Sequence, residues 1–282
     1  MKLLFVGDTM FERKLKEMVL SSQNPLEHVA PVLKNYDYVC ANLETVISEE
    51  SAGIPLAHKV FRLKSPVESL DILKSANISI VNLANNHTMD FEQGALLEEL
   101  RLLDQKGIMH FGAGKDIDDA FAPLILDTKD GRIAFLGFNR VETHRTKAGE
   151  SSAGQAFFKQ PARMEQAIRV AKKSADLVFV LPHWGKEYST KVSEKQVYFG
   201  EKFIEWGADL VVGTHPHVVQ ESTIYQGKSI YYSLGNFCFS SGLLRPGILD
   251  GQALGVEIKN KAIANLHLRE VHLEESGVPY FS

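Results

Sequence analysis

Two carboxylates, at least one side-chain amide and at least three imidazoles follow short apolar runs in this sequence: Asp8, then Glu44, then Asn85, Asn86 and His87, then His183, then His215 and His217. Oxygen and imidazole donors in that mixture suit first-row divalent metals. With only Cys40 and Cys238 in the chain, a thiolate zinc cage is excluded. Taken singly, an Asp at a strand end is most often a helix N-cap, and a lone His is most often a hydrogen-bonded structural residue. The signal lies in five separate runs delivering ligands to one edge, because open α/β sheets bind their ligands outside the carboxyl ends of the strands. The His215/His217 pair is the most specific part. Pro216 between them has a fixed φ and biases His215 toward extended backbone, which predicts a rigid ligand loop.

The elements that must position these residues are legible as alternation. Runs at 3–6, 36–41, 78–83, 177–181 and 210–212 are apolar on both faces, as buried parallel strands are. Helix-like stretches at 12–20, 66–75, 93–105, 161–173 and 194–206 lie between them. Leu96, Leu97, Leu100 and Leu103 share one face of the third. Hairpins are expected where 123–127 and 132–137 flank Asp130 and Gly131, where 222–225 and 229–233 flank Gln226 and Gly227, and where 253–258 and 262–268 flank Asn260. The pattern predicts an α/β fold with mixed sheets in one domain spanning 1–282. Two stretches, 139–157 and 240–251, lack a pattern and are candidate substrate lids or surface excursions.

Composition narrows the function. In 282 residues, 44% are hydrophobic and 23% charged, which suffices for a sizeable core and excludes a disordered chain. A formal charge of −4, without a Lys/Arg stripe interleaved with aromatics, argues against nucleic acid as a partner. Residues 1–6 are too short for a signal-peptide core, and no run approaches the roughly 20 apolar residues of a spanning helix. With two cysteines in apolar surroundings, a cytoplasmic location is expected.

Six segments carry a resemblance to a known family: Gly7-Asp8-Thr9-Met10, Asn42-Leu43-Glu44, Asn82-Leu83-Ala84-Asn85-Asn86-His87, Pro182-His183-Trp184-Gly185, Gly213-Thr214-His215-Pro216-His217 and Tyr232-Ser233-Leu234-Gly235-Asn236-Phe237. From Leu3 to about Phe239, Phe61-Arg62 and Gly112-Ala113-Gly114 included, the chain resembles the CapA-type poly-γ-glutamate synthesis proteins, a branch of the calcineurin-like metallophosphoesterases. The resemblance implies a four-layer αββα sandwich with the site at one end of two sheets. It implies two divalent ions (Mn, Fe, Zn or Mg), with Glu44 bridging, Asp8 and His217 on one ion, and Asn86, His183 and His215 on the other. His87 resembles the histidine that protonates a leaving oxygen, oriented by Asp90. Two departures stand out: Met10 occupies a position where the wider superfamily has a histidine ligand, and Glu44 stands for an Asp.

The expected activity is metal-dependent phosphoester hydrolysis of a small anionic substrate, with two ions about 3.5–4 Å apart activating water. Arg62 is the expected contact for that anion, with Asn42 and Asn236 lining the pocket. His58 lies on the same segment as Arg62. His144 and Arg145 on the middle loop and Arg245 on the later one are read as solvated loop charge, with reach toward an anionic substrate from above as the alternative. Two other activities fit the same residues: an accessory metal-binding protein in poly-γ-glutamate or cell-envelope polymer handling, and a γ-glutamyl amide hydrolase.

Overall fold

The computed structural model describes residues 1–57, 59–141, 146–240 and 247–282. Two large mixed sheets dominate. Sheet I runs Pro279–Phe281, Ala262–Leu273, Asp250–Lys259, Lys2–Thr9, Tyr38–Leu43, Ile78–Asn82, Met109–Phe111, with Asn236–Cys238 beside the end of Lys2–Thr9. Sheet II runs Val219–Tyr225, Lys228–Leu234, Leu210–Val212, Leu177–His183, Gly131–Asn139, Leu124–Thr128. Strands at the centre of each sheet pair in parallel; antiparallel pairs close both edges of sheet II and one edge of sheet I, while Met109–Phe111 ends the other edge of sheet I in parallel. This is the mixed arrangement expected from the sequence.

Three apolar layers define the packing. Between the sheets, Leu3, Phe5, Cys40 and Ile80 of sheet I meet Ile133, Phe135, Leu177, Phe179, Leu181 and Val212 of sheet II. Phe5, Phe135 and Phe179 sit with ring centroids 5.7–6.3 Å apart, two of the three pairs edge-on. Each such ring contributes about 1.5–3 kcal/mol by leaving water. On the outer face of sheet I, Leu4, Val6, Val39 and Val81 pack against Leu70, Leu96, Leu100 and Leu103, from helices Ser69–Ser75 and Glu92–Lys106. On the outer face of sheet II, Val178, Val180 and Val211 pack against Met164, Ile168, Phe203 and Ile204, from Pro161–Ser174 and Glu194–Trp206. The order is helix, sheet, sheet, helix: the four-layer αββα sandwich.

Helix boundaries follow local chemistry. Glu194–Trp206 starts with a capping box in which the Ser193 hydroxyl accepts from the Gln196 N–H while the Gln196 side chain accepts from the Ser193 N–H. Glu92–Lys106 stops at Gly107, whose φ of +66° suits a residue without Cβ. Part of the stretch 139–157, expected to lack structure, has it. Gly154–Gln155 pairs antiparallel with Ala113–Gly114, and Ala148, Ala153, Ala156 and Phe157 are buried. Small residues in close-packed contact leave no hydrophobic period to find. Among the described residues, no helix is long and apolar enough to cross a membrane.

Candidate metal centre

Strand alternation brings the polar residues inward. On Lys2–Thr9 the inter-sheet side chains are Leu3 and Phe5, and Phe5 pairs in register with Cys40. An extra residue at Gly7 shifts the register, so that Asp8, not Gly7, pairs with Asn42 and faces the other sheet. Gly7 is required there, because a Cβ would overlap the Gly235 carbonyl that accepts the Asp8 N–H. Asn236, Asp8, Asn42 and Asn82 thereby form one row across four neighbouring strands. In sheet II, Leu177, Phe179 and Leu181 face inward, so His183 two residues on does too. Glu44 follows Tyr38–Leu43, residues 85–87 follow Ile78–Asn82, and His215 and His217 follow Leu210–Val212. All are buried, at the carboxyl ends of parallel strands.

Hydrogen bonds fix most of these side chains. Asn42 Nδ2 donates to Asp8 Oδ1 (2.8 Å), Asn82 Nδ2 to Asn42 Oδ1 (3.3 Å), and the His215 backbone N–H to Asp8 Oδ2 (3.2 Å). His217 Nδ1 lies 3.0 Å from Asn236 Oδ1 and 3.3 Å from Asp8 Oδ2, while Asn236 Nδ2 donates to the carbonyls of His217 and Ile248. Asn42 and Asn236 thus place their amides on Asp8 and His217. His183 Nδ1 faces the Thr214 hydroxyl at 3.1 Å, and its Nε2 lies 2.6 Å from Asn86 Oδ1. The Asp90 carboxylate accepts from His87 Nδ1 (2.7 Å) and from the Leu63 N–H (2.7 Å), which turns His87 Nε2 toward the centre, 3.9 Å from Glu44.

Glu44 is the exception. Both of its carboxylate oxygens are buried without a hydrogen-bond partner, as is His215 Nδ1. Glu44 Oε1 stands 3.6 Å from His183 Nε2 and 3.7 Å from His217 Nε2. Burying an unpartnered carboxylate in a protein interior is expensive. Metal bonds of about 2.0–2.2 Å place two donors on one ion roughly 3–3.6 Å apart, close to these separations. Two groups of ligand atoms, Glu44 with His183 and His215, and Asp8 with Glu44 and His217, each lie within 4.8 Å of one another and share Glu44. The donor set fits divalent cations.

Electrostatics agree. Burial and the neighbouring Asp8 push Glu44 well above the usual carboxylate range. Burial alone would raise Asp8 as well, but His217, His183 and the Asn42 amide outweigh it and bring Asp8 down. Burial drives His183 down to about 3 and His215 well below the ordinary imidazole value, so both rings are neutral and keep a lone pair for a metal. His217 moves up, its burial outweighed by Asp8. Burial lowers His87 despite Asp90.

The His215 backbone departs from expectation. Instead of the extended conformation that Pro216 favours, His215 has φ +99°, and His217 has φ +58°. Non-glycine residues held there are strained, and such strain persists where the surroundings over-determine it. Arg62 is half-buried, with Nε donating to the Leu56 carbonyl at 2.9 Å. His58, His144, Arg145 and Arg245 lie outside the described residues.

Two residues at the site had no part in the sequence reading. Lys59 pairs with Asp90 Oδ1 at 2.6 Å and donates to the Asn86 carbonyl. It comes from a loop that Lys64 ties down by donating to the carbonyls of Glu49, Glu50 and Ala52. No periodicity points to it. Glu187 offers a carboxylate within 4.8 Å of the ligand nitrogens of His215 and His217; its signal was an acid four residues past His183.

The family model for the bacterial capsule synthesis protein PGA_cap matches residues 2–241. The chain belongs to that family. It is 32% identical over 271 residues to the capsule biosynthesis protein CapA of Bacillus anthracis, covering 94% of this chain and 63% of that protein. It is 30% identical over 275 residues to the PGA biosynthesis protein CapA of Bacillus subtilis, covering 96% and 71%. The chain thus spans less than two thirds of the anthrax relative's length. Among solved structures it resembles a hypothetical protein of Thermus thermophilus (TM-score 0.56, 18% identity, 96% of this chain and 98% of that one). It also resembles a Mycoplasma pneumoniae phosphatase (TM-score 0.55, 15% identity, 96% and 93%). These likenesses establish the fold. The PGA_cap membership and the αββα layering both agree with the resemblance read from the motifs.

Proposed function

We propose that this PGA_cap protein is a metal-dependent phosphoesterase acting on a small anionic substrate. The observation that supports this most is Glu44, a buried carboxylate without a hydrogen-bond partner, set among three imidazoles. In this reading Glu44 would be shared between two divalent ions, with Asp8 and His217 holding one and Asn86, His183 and His215 the other. Ions bound there would polarise phosphoryl oxygens and acidify water at neutral pH. Asn42 and Asn236 keep Asp8 and His217 aimed. Arg62, anchored through Nε, faces the substrate's anionic group. His87 would deliver a proton to the leaving oxygen from Nε2 of its doubly protonated ring, the form that Asp90 at Nδ1 favours against the downward pull of burial. Lys59 holds the other oxygen of Asp90 through their ion pair.

The test begins with protein purified without chelators and reconstituted with manganese. Metal is counted per chain by plasma mass spectrometry, and release of phosphate or nitrophenol from esters is compared with release of glutamate from γ-glutamyl peptides. Two ions per chain, fewer in Asn86→Ala, together with ester hydrolysis is the expected result. Glutamate release would reassign the reaction to amide hydrolysis. Silence in both assays would reassign the protein to polymer binding.

A further inference from the structure

A third group of ligand atoms lies on the solvent side of the centre. Glu187, His215 and His217 bring one carboxylate oxygen and two imidazole nitrogens within 4.8 Å of one another, and Glu187 is the exposed member. The backbone is shaped around this contact. The loop carrying Glu187 leaves His183 beside the loop carrying His215: the Trp184 N–H donates to the Thr214 carbonyl (3.1 Å), and the Tyr188 N–H to the Pro216 carbonyl (2.7 Å). Gly185 has φ +98° and Tyr188 φ +62°, and a Cβ on Gly185 would come within 3.1 Å of Pro216. Four residues in this pair of loops therefore have positive φ, counting His215 and His217. A second observation points to a ligand beside this group: His215 Nδ1 is buried and has no hydrogen-bond partner.

We propose that Glu187 is a ligand of the divalent-metal centre, entering from the solvent side at the position bounded by His215 and His217. The proposal rests on the metal-centre reading above and extends it. Within that reading the His217 position has Asp8 and Glu44 as its other protein donors. Met10, on the same strand end as Asp8, is turned into the outer core and is only 1% exposed, so it cannot contribute. A carboxylate on an exposed side chain can swing onto an ion after it enters, which the buried donors cannot do.

The test is calorimetric titration of Mn²⁺ into chelator-stripped protein, with bound manganese counted by mass spectrometry. It compares the unaltered chain with Glu187→Gln and with the neighbouring surface variant Lys186→Gln, at low salt and at about 1 M, where the screening length is about 3 Å. Glu187→Gln is expected to weaken Mn²⁺ binding by about 10–100-fold at both salt concentrations, in the range that metal-site support residues command, with Lys186→Gln unchanged. Unaltered affinity in Glu187→Gln, or a loss confined to low salt, would overturn the proposal and leave the centre standing, the latter because it would mark a mere rim charge. An unaltered chain that takes up no Mn²⁺ would overturn the metal-centre reading as well.

Discussion

Replacing Glu44 with Gln should change stability in opposite directions with and without metal. In the presence of chelator, burial and Asp8 raise the Glu44 carboxyl well above its usual range. A folded carboxyl that holds its proton more tightly than the unfolded one makes stability fall as pH rises. The contribution is fully present below the unfolded value of 4.5 and is lost at about 1.4 kcal/mol per pH unit until the folded value is passed. Gln copies the protonated form at every pH and removes this slope. For 282 residues, an unfolding entropy of about 2.1 cal/mol/K per residue gives about 0.6 kcal/mol per degree. Chelated Glu44→Gln should therefore gain about 2 °C over the unaltered chain for each pH unit above the ordinary Glu range. Metal reverses the order. Manganese at about 100 times its dissociation constant stabilises the unaltered chain by about 2.7 kcal/mol, or about 4–5 °C, and Gln, a poorer ligand than carboxylate, forfeits most of that. Thermal unfolding followed by circular dichroism at about pH 5 and about pH 7, with chelator and with MnCl₂, reads all four arms. A chelated variant that melts below the unaltered chain at about pH 7, or one that keeps the full manganese shift, would refute the assignment of Glu44 as an unsatisfied carboxylate awaiting a cation.

Three further outcomes follow from the same geometry. His87→Ala should slow ester hydrolysis by about 10²–10⁴-fold, the range for a lost general acid, while manganese per chain stays unchanged; parallel loss of metal would make His87 a structural part of the centre. Glu99→Gln should flatten the pH dependence of urea unfolding. Glu99 is buried, accepts from the Ile47 N–H through Oε1 and leaves Oε2 without a partner. Burial raises it well above the usual range despite that N–H, so it costs the native chain about 1.4 kcal/mol per pH unit above the ordinary Glu value until it ionises; identical profiles would show that Glu99 titrates normally. Gly7→Ala should destabilise the chain by about 1–3 kcal/mol or more, as overpacking does, because its Cβ collides with the Gly235 carbonyl, and it should weaken manganese binding by displacing Asp8. Native stability in that variant would mean that the register shift at Gly7 relaxes freely.

The framework was legible because its central strands are apolar on both faces and its helices amphipathic. Leu210–Val212 and Glu194–Trp206 have the boundaries that alternation predicts, and all three expected hairpins form, turning at Gln226-Gly227, at Asn260-Lys261 and, one residue earlier than expected, at Lys129-Asp130, with Gly131 already paired in the strand. The short pairings escaped for physical reasons. Asn236–Cys238 and Gly154–Gln155 are two or three residues long and are set by neighbours distant in sequence, Lys2–Thr9 and Ala113–Gly114. At the site, residues at strand ends were visible because a strand end has a fixed address. Lys59 was not, since a loop tied down by Lys64 brings it in. The positive φ at His215 was likewise beyond local reasoning. Pro216 biases its predecessor toward extended backbone, and only the tertiary contacts, the His215 N–H on Asp8 and the Tyr188 N–H on Pro216, outweigh that preference.

Which polar groups are satisfied, and which are not, separates support from chemistry. A layer of buried Asn, Asp and His directly behind an aromatic core is costly unless each group finds a partner. Most do: Asn82 holds Asn42, Asn42 holds Asp8, Asn236 holds His217, and Thr214 faces His183. These bonds run through side chains on rigid strands, so the donors are oriented before any ligand arrives and little ordering is left for binding to supply. Among the described residues, the unsatisfied atoms at the centre are the two Glu44 oxygens and His215 Nδ1. A purely structural polar cluster would have no reason to leave a fully buried carboxylate bare while securing Asp8, Asn42, His183 and His217 around it. A centre built to receive cations would, because a carboxylate already committed to hydrogen bonds would have to surrender them before it could bridge.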